Sequence, residues 1–301
     1  MKVAAAPISW GVIEIPGWGY QMAPDRVLEE MKAVGFDATE LGPPGYLPGD
    51  PIACRELLDR HGLRLVAGFL ATVLHEPRPE TLDEVNKQAT LLAAAGAEML
   101  VLAASLPGDS YEGRDRLSRD AWHRLSKSLV AAESIAASHG LGLAFHPHVG
   151  TAVESREDVQ KLLDTTAVNL CLDTGHLFLG GTDPVLLAKE AGARVTYVHL
   201  KDVDLEVAGK FLSRELTYAS AVRNGLYQPL GQGGLDIQAV FGRLVEAGYQ
   251  GWFVLEQDTA LTAEPEPAGG PAEVARQSLE YFRRLYGARQ HVIDIGGGIK
   301  R

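Results

Sequence analysis

The sequence has little cysteine, no excess of positive charge and no long hydrophobic run, and each shortage argues against a class of protein. Only Cys54 and Cys171 occur in 301 residues, far apart and in apolar surroundings. A disulfide framework or a zinc site built on thiolates is therefore not expected. Lysine and arginine number 28 against 39 acidic residues, which gives a net charge of −11. Nucleic-acid binding, which needs clustered basic residues, is not expected either.

The sequence begins with the apolar segment MKVAAAPISWGV. This segment is short, contains Pro7 and is soon followed by Glu14. Such a run is too short to span a membrane and resembles a first strand more than a signal peptide. We therefore expect no membrane segment. Together with the low cysteine content, this favours a cytoplasmic protein.

Short apolar segments alternate with longer amphipathic ones along the whole chain. Eight of the short segments are predicted strands, by their brevity, apolar content and flanking turn residues. They are Val3–Trp10, Ala38–Gly42, Leu65–Leu70, Met99–Ala104, Leu143–His148, Leu170–Thr174, Thr196–Lys201 and Trp252–Gln257. Eight strands alternating with helices predict an α/β fold of the TIM-barrel type, a closed (β/α)8 barrel.

The amphipathic segments between the strands carry helix start and stop signals. Segments 23–35, 79–96, 155–165 and 236–248 begin near Asp, Ser or Pro, and three of the four end at Gly. No linker or internal repeat divides the chain, so we expect one domain over residues 1–288 and a C-terminal tail over 289–301. Residues 205–236 form an irregular excursion, and a segment of this length usually has a function. We expect Lys210 through Leu235 to act as a lid.

Reactive side chains recur at the carboxyl ends of the predicted strands. In a (β/α)8 barrel these ends meet at a single mouth, where active sites are built. A polar group at one strand end is ordinarily structural, but its repetition on successive strands predicts a shared site. The residues concerned are Glu40, His146, His148, Asp173, His176, His199, Lys201 and Glu256.

Four of these residues form a candidate metal site. Asp173, His199 and Glu256, with His146 from the fifth strand, offer nitrogen and oxygen ligands without thiolate. Such a set suits Mn²⁺ or Co²⁺ best, is compatible with Zn²⁺, Fe²⁺ or Mg²⁺, and suits Ca²⁺ less well. A divalent ion there would polarise a carbonyl or hydroxyl oxygen and stabilise an enediolate, which is chemistry suited to sugars.

The order of the motifs ELG, HPHVGT, LDTGH, HLKD, PLGQGGLD and LEQD on these strands resembles the xylose-isomerase-like barrels of sugar isomerases and epimerases. Within that superfamily the sequence is most similar to the inosose dehydratases of inositol catabolism. The resemblance implies a divalent-metal hydro-lyase that removes water from a keto-inositol or a similar keto-polyol. It also implies that Asp173, His199 and Glu256 are metal ligands, because they match the family pattern position by position.

The motif HPH distinguishes this chain from the epimerases of the superfamily. Those enzymes typically carry a glutamate on the fifth strand, which works with the glutamate of the last strand as an acid/base pair, and His146 stands at that position here. A histidine can ligate a metal or protonate a departing hydroxyl. The motif therefore favours dehydration, with His146, Glu256 and Lys201 as catalytic residues. A keto-sugar or inosose isomerase or epimerase remains the alternative.

The other site residues have two interpretations each. Lys201 would donate a proton or pair with Asp202 or Asp204, and Glu40 would hold a substrate hydroxyl or orient a ligand. His148 and His176 would contact substrate, although a strand-end or helix-capping role is equally compatible. Trp10 would pack on the face of a sugar or in the core. The segment PLGQGGLD, 229–236, is predicted to be a turn that closes over the substrate.

The expected partner is a small polyol or keto-sugar without phosphate, because no phosphate-binding loop is present. Assembly into a homo-oligomer stays open. A non-catalytic protein or a metal-dependent nuclease of the same superfamily is the remoter alternative, and the acidity of the chain argues against the nuclease.

Overall fold

Eight parallel strands close into a barrel in the computed structural model, which describes residues 1–76, 78, 80–108 and 116–297. The barrel strands are β1 (Val3–Ala5), β2 (Ala38–Glu40), β3 (Arg64–Thr72), β4 (Met99–Ala104), β5 (Gly142–Phe145), β6 (Leu170–Asp173), β7 (Val195–Leu200) and β10 (Phe253–Leu255). Strand β10 lies between β7 and β1, with Phe253 opposite Val3, and closes the ring. The predicted barrel is confirmed, and each predicted strand segment overlaps one barrel strand.

Helices lie between the strands and cover the outside of the barrel. They are α1 (Pro24–Val34), α2 (Pro51–Arg60), α3 (Glu80–Ala95), α4 (Arg119–Ser138), α5 (Arg156–Thr165), α6 (Thr174–Leu179), α7 (Pro184–Ala191), α8 (Leu205–Leu212), α9 (Tyr218–Arg223), α10 (Ile237–Glu246) and α11 (Pro271–Gly297). The sequence signals explain their ends: Ser155 caps α5 through the backbone N–H of Asp158, and Gly35 ends α1 with φ of 109°.

The first predicted strand is too long. Strand β1 stops at Ala5, and Pro7–Trp10 forms a 3₁₀ helix instead. Proline at the first helical position explains the change, because its fixed φ suits a helix and its missing N–H would leave a gap in a β-ladder. The segment after β1 therefore turns inward across the mouth of the barrel.

Two apolar cores result from the alternation of side chains along the strands. One fills the barrel interior with small and medium residues, among them Ala4, Val101, Cys171 and Val254, together with Tyr197. The larger core lies between the barrel and its helices. Because side chains fill the barrel interior, a ligand of the barrel itself would bind at the ends of the strands.

The excursion, residues 205–236, is more regular than predicted. It contains α8, α9 and the strand β9 (Tyr227–Gln228), which pairs antiparallel with β8 (Asp202–Val203). These elements bury their own apolar cluster, which includes Phe211, Tyr218 and Leu226. The excursion is therefore a packed cap beside the mouth of the barrel and was wrongly predicted to be irregular.

Three further predictions concern the end of the domain, the state of the cysteines and membrane-spanning segments. Helix α11 continues to Gly297, so the predicted domain boundary at residue 288 falls inside a helix, and residues 298–301 of the predicted tail lie outside the described residues. Cys54 and Cys171 are both free thiols. None of the helices in the described ranges combines the length and apolarity needed to cross a bilayer.

Candidate metal centre and active site

A cavity of about 190 Å³ opens at the carboxyl ends of the strands. Pockets for drug-sized ligands span roughly 300–1,000 Å³, so this one suits a smaller molecule. One wall is apolar and comes from the segment after β1, the loop after β2 and strand β3; it includes Pro7, Ile8, Val12, Pro43 and Phe69. The opposite side is polar and contains Glu40, His146, His148, His176, His199, Lys201, Glu256 and Asp258. The structure thus brings the predicted site residues other than Trp10 and Asp173 to the cavity wall.

Asp173 lies just beneath the floor of this cavity, at the junction of β6 and α6. Its Oδ1 accepts a hydrogen bond from the backbone N–H of His176 at 2.8 Å, which caps α6. This bond turns Oδ2 toward the cavity, where it lies 3.6 Å from His146 Nε2 and from His199 Nδ1. Among the described residues Oδ2 is fully buried and makes no hydrogen bond. The Lys201 ammonium, 3.2 Å away, is its ionic partner, and the remaining acceptor capacity of this oxygen is available to a further cation or donor.

His199, near the end of β7, is oriented by Glu40 from the far side of the barrel. His199 Nε2 lies 3.0 Å from Glu40 Oε1, so this nitrogen donates to the carboxylate. When the ring gives up its proton to bind a metal, the other nitrogen, Nδ1, would present its lone pair toward the centre. A carboxylate that orients the imidazole in this way is the common outer partner of a metal-binding histidine.

His146 and His148 are each oriented by their own backbone. His146 Nδ1 lies 2.8 Å from the carbonyl oxygen of Pro147, and His148 Nδ1 lies 2.7 Å from that of Val149. A carbonyl oxygen only accepts, so both Nδ1 atoms donate and Nε2 is left as the basic nitrogen of each ring. For His146 this nitrogen faces the centre.

Three side-chain atoms lie close to His199 Nδ1: His146 Nε2, Asp173 Oδ2 and Glu256 Oε2. The contacts of His199 Nδ1 with His146 Nε2 and with Glu256 Oε2 are both 3.2 Å. Two atoms bound tetrahedrally to one metal at about 2.1 Å lie about 3.4 Å apart. The nitrogen and oxygen donors, their separations and an Asp173 Oδ2 that accepts no hydrogen bond from the described residues therefore fit a divalent ion.

Lys201 adds a buried cation beside this centre. Its ammonium contacts Glu256 Oε2 directly and lies 3.2 Å from Asp173 Oδ2 and 3.0 Å from Asp258 Oδ1. The backbone of Lys201 is held by Thr174, whose hydroxyl donates to its carbonyl oxygen and accepts from its N–H. The alternative pairings fail, because Asp202 binds the backbone of a glycine turn and Asp204 caps α8.

The buried charges compensate one another. Burial alone would raise the pKa of Asp173, but the Lys201 ammonium and His176 hold it well below its usual range. Burial would likewise lower the pKa of Lys201, yet Asp173, Asp258 and Glu256 raise it well above its usual value. Both groups are therefore charged at neutral pH, and the site holds a fixed ion-pair network.

His148 and His176 form a second part of the polar wall. Their ring centroids are 3.7 Å apart with an interplanar angle of 32°. Burial lowers the pKa of each ring well below its usual value, and a neighbouring imidazole, His146 for His148 and His148 for His176, lowers it further. Both rings are neutral at pH 7, which lets them donate to or accept from a hydroxyl group.

Two predicted contacts with substrate are corrected by the structure. Trp10 is completely buried in the core between barrel and helices, and its indole N–H donates to Glu30 Oε2 at 2.9 Å. The turn 229–236 wraps around Asp202, whose carboxylate accepts from the N–H groups of Gly231, Gly233 and Leu235. In the part of the chain that the structure describes, neither Trp10 nor this turn lines the cavity.

The structure also adds residues that the sequence did not single out for a role. Asp258 and Tyr218 both line the cavity, and Tyr218 Oη donates to Asp258 Oδ2 at 2.7 Å. The sequence contains a pattern that indicates Asp258, because this residue follows Glu256 by two positions in LEQD and so points to the same side of an extended segment. No such pattern indicates Tyr218, because its position depends on how the excursion folds back.

Comparisons with known proteins agree with this architecture. Residues 28–285 match the family model described as xylose isomerase-like TIM barrel. The inosose dehydratase of Geobacillus kaustophilus (strain HTA426) is 32% identical over 298 residues, which cover 94% of each chain. A solved L-ribulose 3-epimerase superposes with a TM-score of 0.71 at 16% identity, covering 100% of this chain and 99% of that one. The IOLI protein, solved with a bound zinc atom, has a TM-score of 0.68 at 16% identity, covering 95% of this chain and 98% of its own. The chain belongs to the xylose isomerase-like TIM barrel family.

Proposed function

We propose that this protein is a divalent-metal-dependent hydro-lyase that dehydrates a keto-inositol (inosose) or a similar keto-polyol. The observation that carries the proposal is the pair of imidazoles at the end of β5, His146 and His148, which line the same cavity as the Lys201–Glu256 ion pair. Relatives named inosose dehydratase, about 30% identical over nearly the full length, support the same reaction.

The proposed metal ligands are His146, Asp173, His199 and Glu256. When bound, a divalent ion would polarise the substrate carbonyl and stabilise the enediolate that forms as a proton leaves the neighbouring carbon. Mn²⁺ or Co²⁺ suits the mixed donor set best, and the zinc in the IOLI structure shows that a member of this fold accepts Zn²⁺.

The chain's own residues would handle the protons and hold the substrate. Glu256 would accept the proton from carbon, and Lys201 would donate one to the departing hydroxyl; His146 would take that role only with a proton on Nε2, in place of binding the metal. His148 and His176, both neutral and facing the cavity, would bind ring hydroxyls. The apolar wall around Pro7 and Phe69 would cover the C–H face of the ring. We further propose that the reaction takes place in the cytoplasm, where free cysteines persist.

The test is product identification with a metal-reconstituted enzyme. Protein stripped of metal and reloaded with Mn²⁺ or Co²⁺ is incubated with keto-inositols, and the product is analysed by mass spectrometry and proton NMR. Dehydration gives a product lighter by one water. A product of unchanged composition with an inverted or moved centre would instead establish the alternative, a keto-sugar or inosose epimerase or isomerase.

The ligand assignment has its own test. Replacing Asp173, His199 or Glu256 singly by Ala is expected to abolish bound metal and activity while leaving the barrel folded, because these side chains sit above the packed interior layers. Elemental analysis measures the metal, and circular dichroism checks the fold. Full metal occupancy in the three variants would show that the assignment is wrong.

A further inference from the structure

The three carboxylates around Lys201 differ in what else they contact. Asp173 Oδ2 and Glu256 Oε2, the oxygens that face the ammonium, also face His199 Nδ1 and belong to the proposed ligand set. Asp258 lies outside that set. Its Oδ1 is 3.0 Å from Lys201 Nζ, and its Oδ2 accepts a hydrogen bond from Tyr218 at 2.7 Å.

A divalent ion at the proposed ligands would change the balance of charge around Lys201. The ion would compete for the oxygens of Asp173 and Glu256 and would repel the ammonium, since two positive charges a few ångströms apart repel strongly in a buried site. Lys201 would then keep Asp258 as its carboxylate partner. Losing every partner is costly for a side chain that is only 2% exposed.

Asp258 is itself held in place. Tyr218, on helix α9 of the excursion, is 1% exposed, and its hydroxyl also lies 3.0 Å from that of Tyr227. Two contacts thus connect the excursion with Lys201: the hydrogen bond from Tyr218 to Asp258 and the ion pair of Asp258 with Lys201. Each link is a buried polar contact, which gives the network one defined geometry.

We propose that Asp258 is a positioning residue, which, supported by Tyr218, holds the Lys201 ammonium beside the metal centre so that a divalent ion can bind without displacing it. This inference rests on the proposed function, because it takes the metal ligands from there. Without Asp258, the carboxylates that remain near the ammonium among the described residues are the proposed ligands Asp173 and Glu256, and the metal must compete with it for them.

The test is a double-mutant cycle in metal affinity. Co²⁺ dissociation constants are measured by titration calorimetry for the wild type, Asp258→Asn, Lys201→Gln and the double variant. Asp258→Asn is expected to weaken Co²⁺ binding by about tenfold to a hundredfold, the usual cost of losing an outer partner of a metal site. In the Lys201→Gln background the same change should alter affinity by less than threefold, because no ammonium is left to compete.

Two further variants separate positioning from folding. Asp258→Glu should restore most of the Co²⁺ affinity, since it returns a carboxylate to the ammonium. Glu30→Gln is the matched control: Glu30 is also a buried carboxylate, paired with Arg26 and Trp10 away from the cavity. Losing the Glu30 carboxylate should lower thermal stability and leave the Co²⁺ dissociation constant unchanged.

The outcomes distinguish this inference from the proposal on which it rests. Equal weakening by Asp258→Asn in both Lys201 backgrounds would overturn the positioning role and leave the metal site intact. A wild-type protein that binds no Co²⁺ would overturn the proposed metal chemistry and the positioning role together.

Discussion

The two histidines of the HPH motif differ in what the basic nitrogen of each ring contacts. Because each Nδ1 donates to the carbonyl oxygen of the next residue, Nε2 is the basic atom on both rings. His146 Nε2 then lies 3.2 Å from His199 Nδ1 and is placed as a ligand, whereas His148 stacks against His176. Two histidines of one short motif thus have different surroundings and separate proposed roles.

Replacing His146 by Glu recreates the carboxylate that the resemblance places on the fifth strand of epimerases. We expect this variant to keep its metal, because carboxylate is an acceptable ligand, and to lose elimination by about 10²–10⁴-fold, the range for a general acid–base group. Elemental analysis and the dehydration assay measure the two effects. His148→Ala is the companion variant and should impair substrate binding or turnover without metal loss; unchanged elimination by His146→Glu would contradict the catalytic role.

Glu40 is expected to act through His199. Its carboxylate accepts from His199 Nε2 and thereby fixes the ring that presents Nδ1. Glu40→Gln should therefore weaken metal binding by about 10–100-fold. A titration with Co²⁺ measures the change, and an unaltered dissociation constant combined with a raised KM would support direct contact of Glu40 with substrate instead.

At the scale of elements, two parts of the excursion contribute differently: the glycine-rich turn 229–236 binds Asp202, and helix α9 lines the cavity. Asp202, completely buried, collects N–H groups from the turn 229–236, and a Cβ on Gly233 would lie 2.3 Å from its Oδ1. The turn thus anchors the return of the chain to the barrel. Helix α9 instead places Tyr218 in the cavity wall.

The structure suggests a specific protease site, Arg214, for testing whether Lys210 through Leu235 act as a lid. Arg214 lies between α8 and α9, is exposed and has φ of 65°. Trypsin is expected to cut after Arg214 in the free protein and more slowly with substrate bound, because a ligand that contacts Tyr218 would order α9. Mass spectrometry locates the cut, Arg214→Gln is the uncleaved control, and equal rates with and without ligand would indicate an ordinary surface loop.

At the scale of the whole molecule, the barrel brings together charges from distant parts of the chain. Four carboxylates, Glu40, Asp173, Glu256 and Asp258, surround His199 and Lys201 in one buried site. Like charges this close destabilise a fold unless cations compensate for them. A bound divalent ion would add two positive charges beside Asp173 Oδ2, which accepts no hydrogen bond from the described residues.

Metal binding should therefore stabilise the folded protein. At a metal concentration 100 times its Kd the gain is about 2.7 kcal/mol, which for a chain of this size raises Tm by about 5 °C. Differential scanning fluorimetry with Co²⁺ against EDTA measures the shift. The Asp173→Ala variant serves as control and should show none; an equal shift in that variant would locate the stabilising metal elsewhere.

Local patterns in the sequence determined the barrel, the order of its strands and the strand ends that carry reactive groups. Apolar segments of strand length and helix caps such as Ser155 report on neighbouring residues only, so they can be recognised without the fold. The same patterns extended β1 too far, because the 3₁₀ turn after Pro7 contains the same apolar residues as a strand.

Only the tertiary structure decided what each site residue contacts. His199 meets Glu40 across 159 residues of sequence, Lys201 meets Glu256 across 55, and Tyr218 meets Asp258 across 40. Trp10 faces the core rather than the cavity for the same reason. Such contacts depend on closure of the barrel and on the return of the excursion, and no local pattern encodes them, because the contact partners lie on different elements whose separation is set by packing.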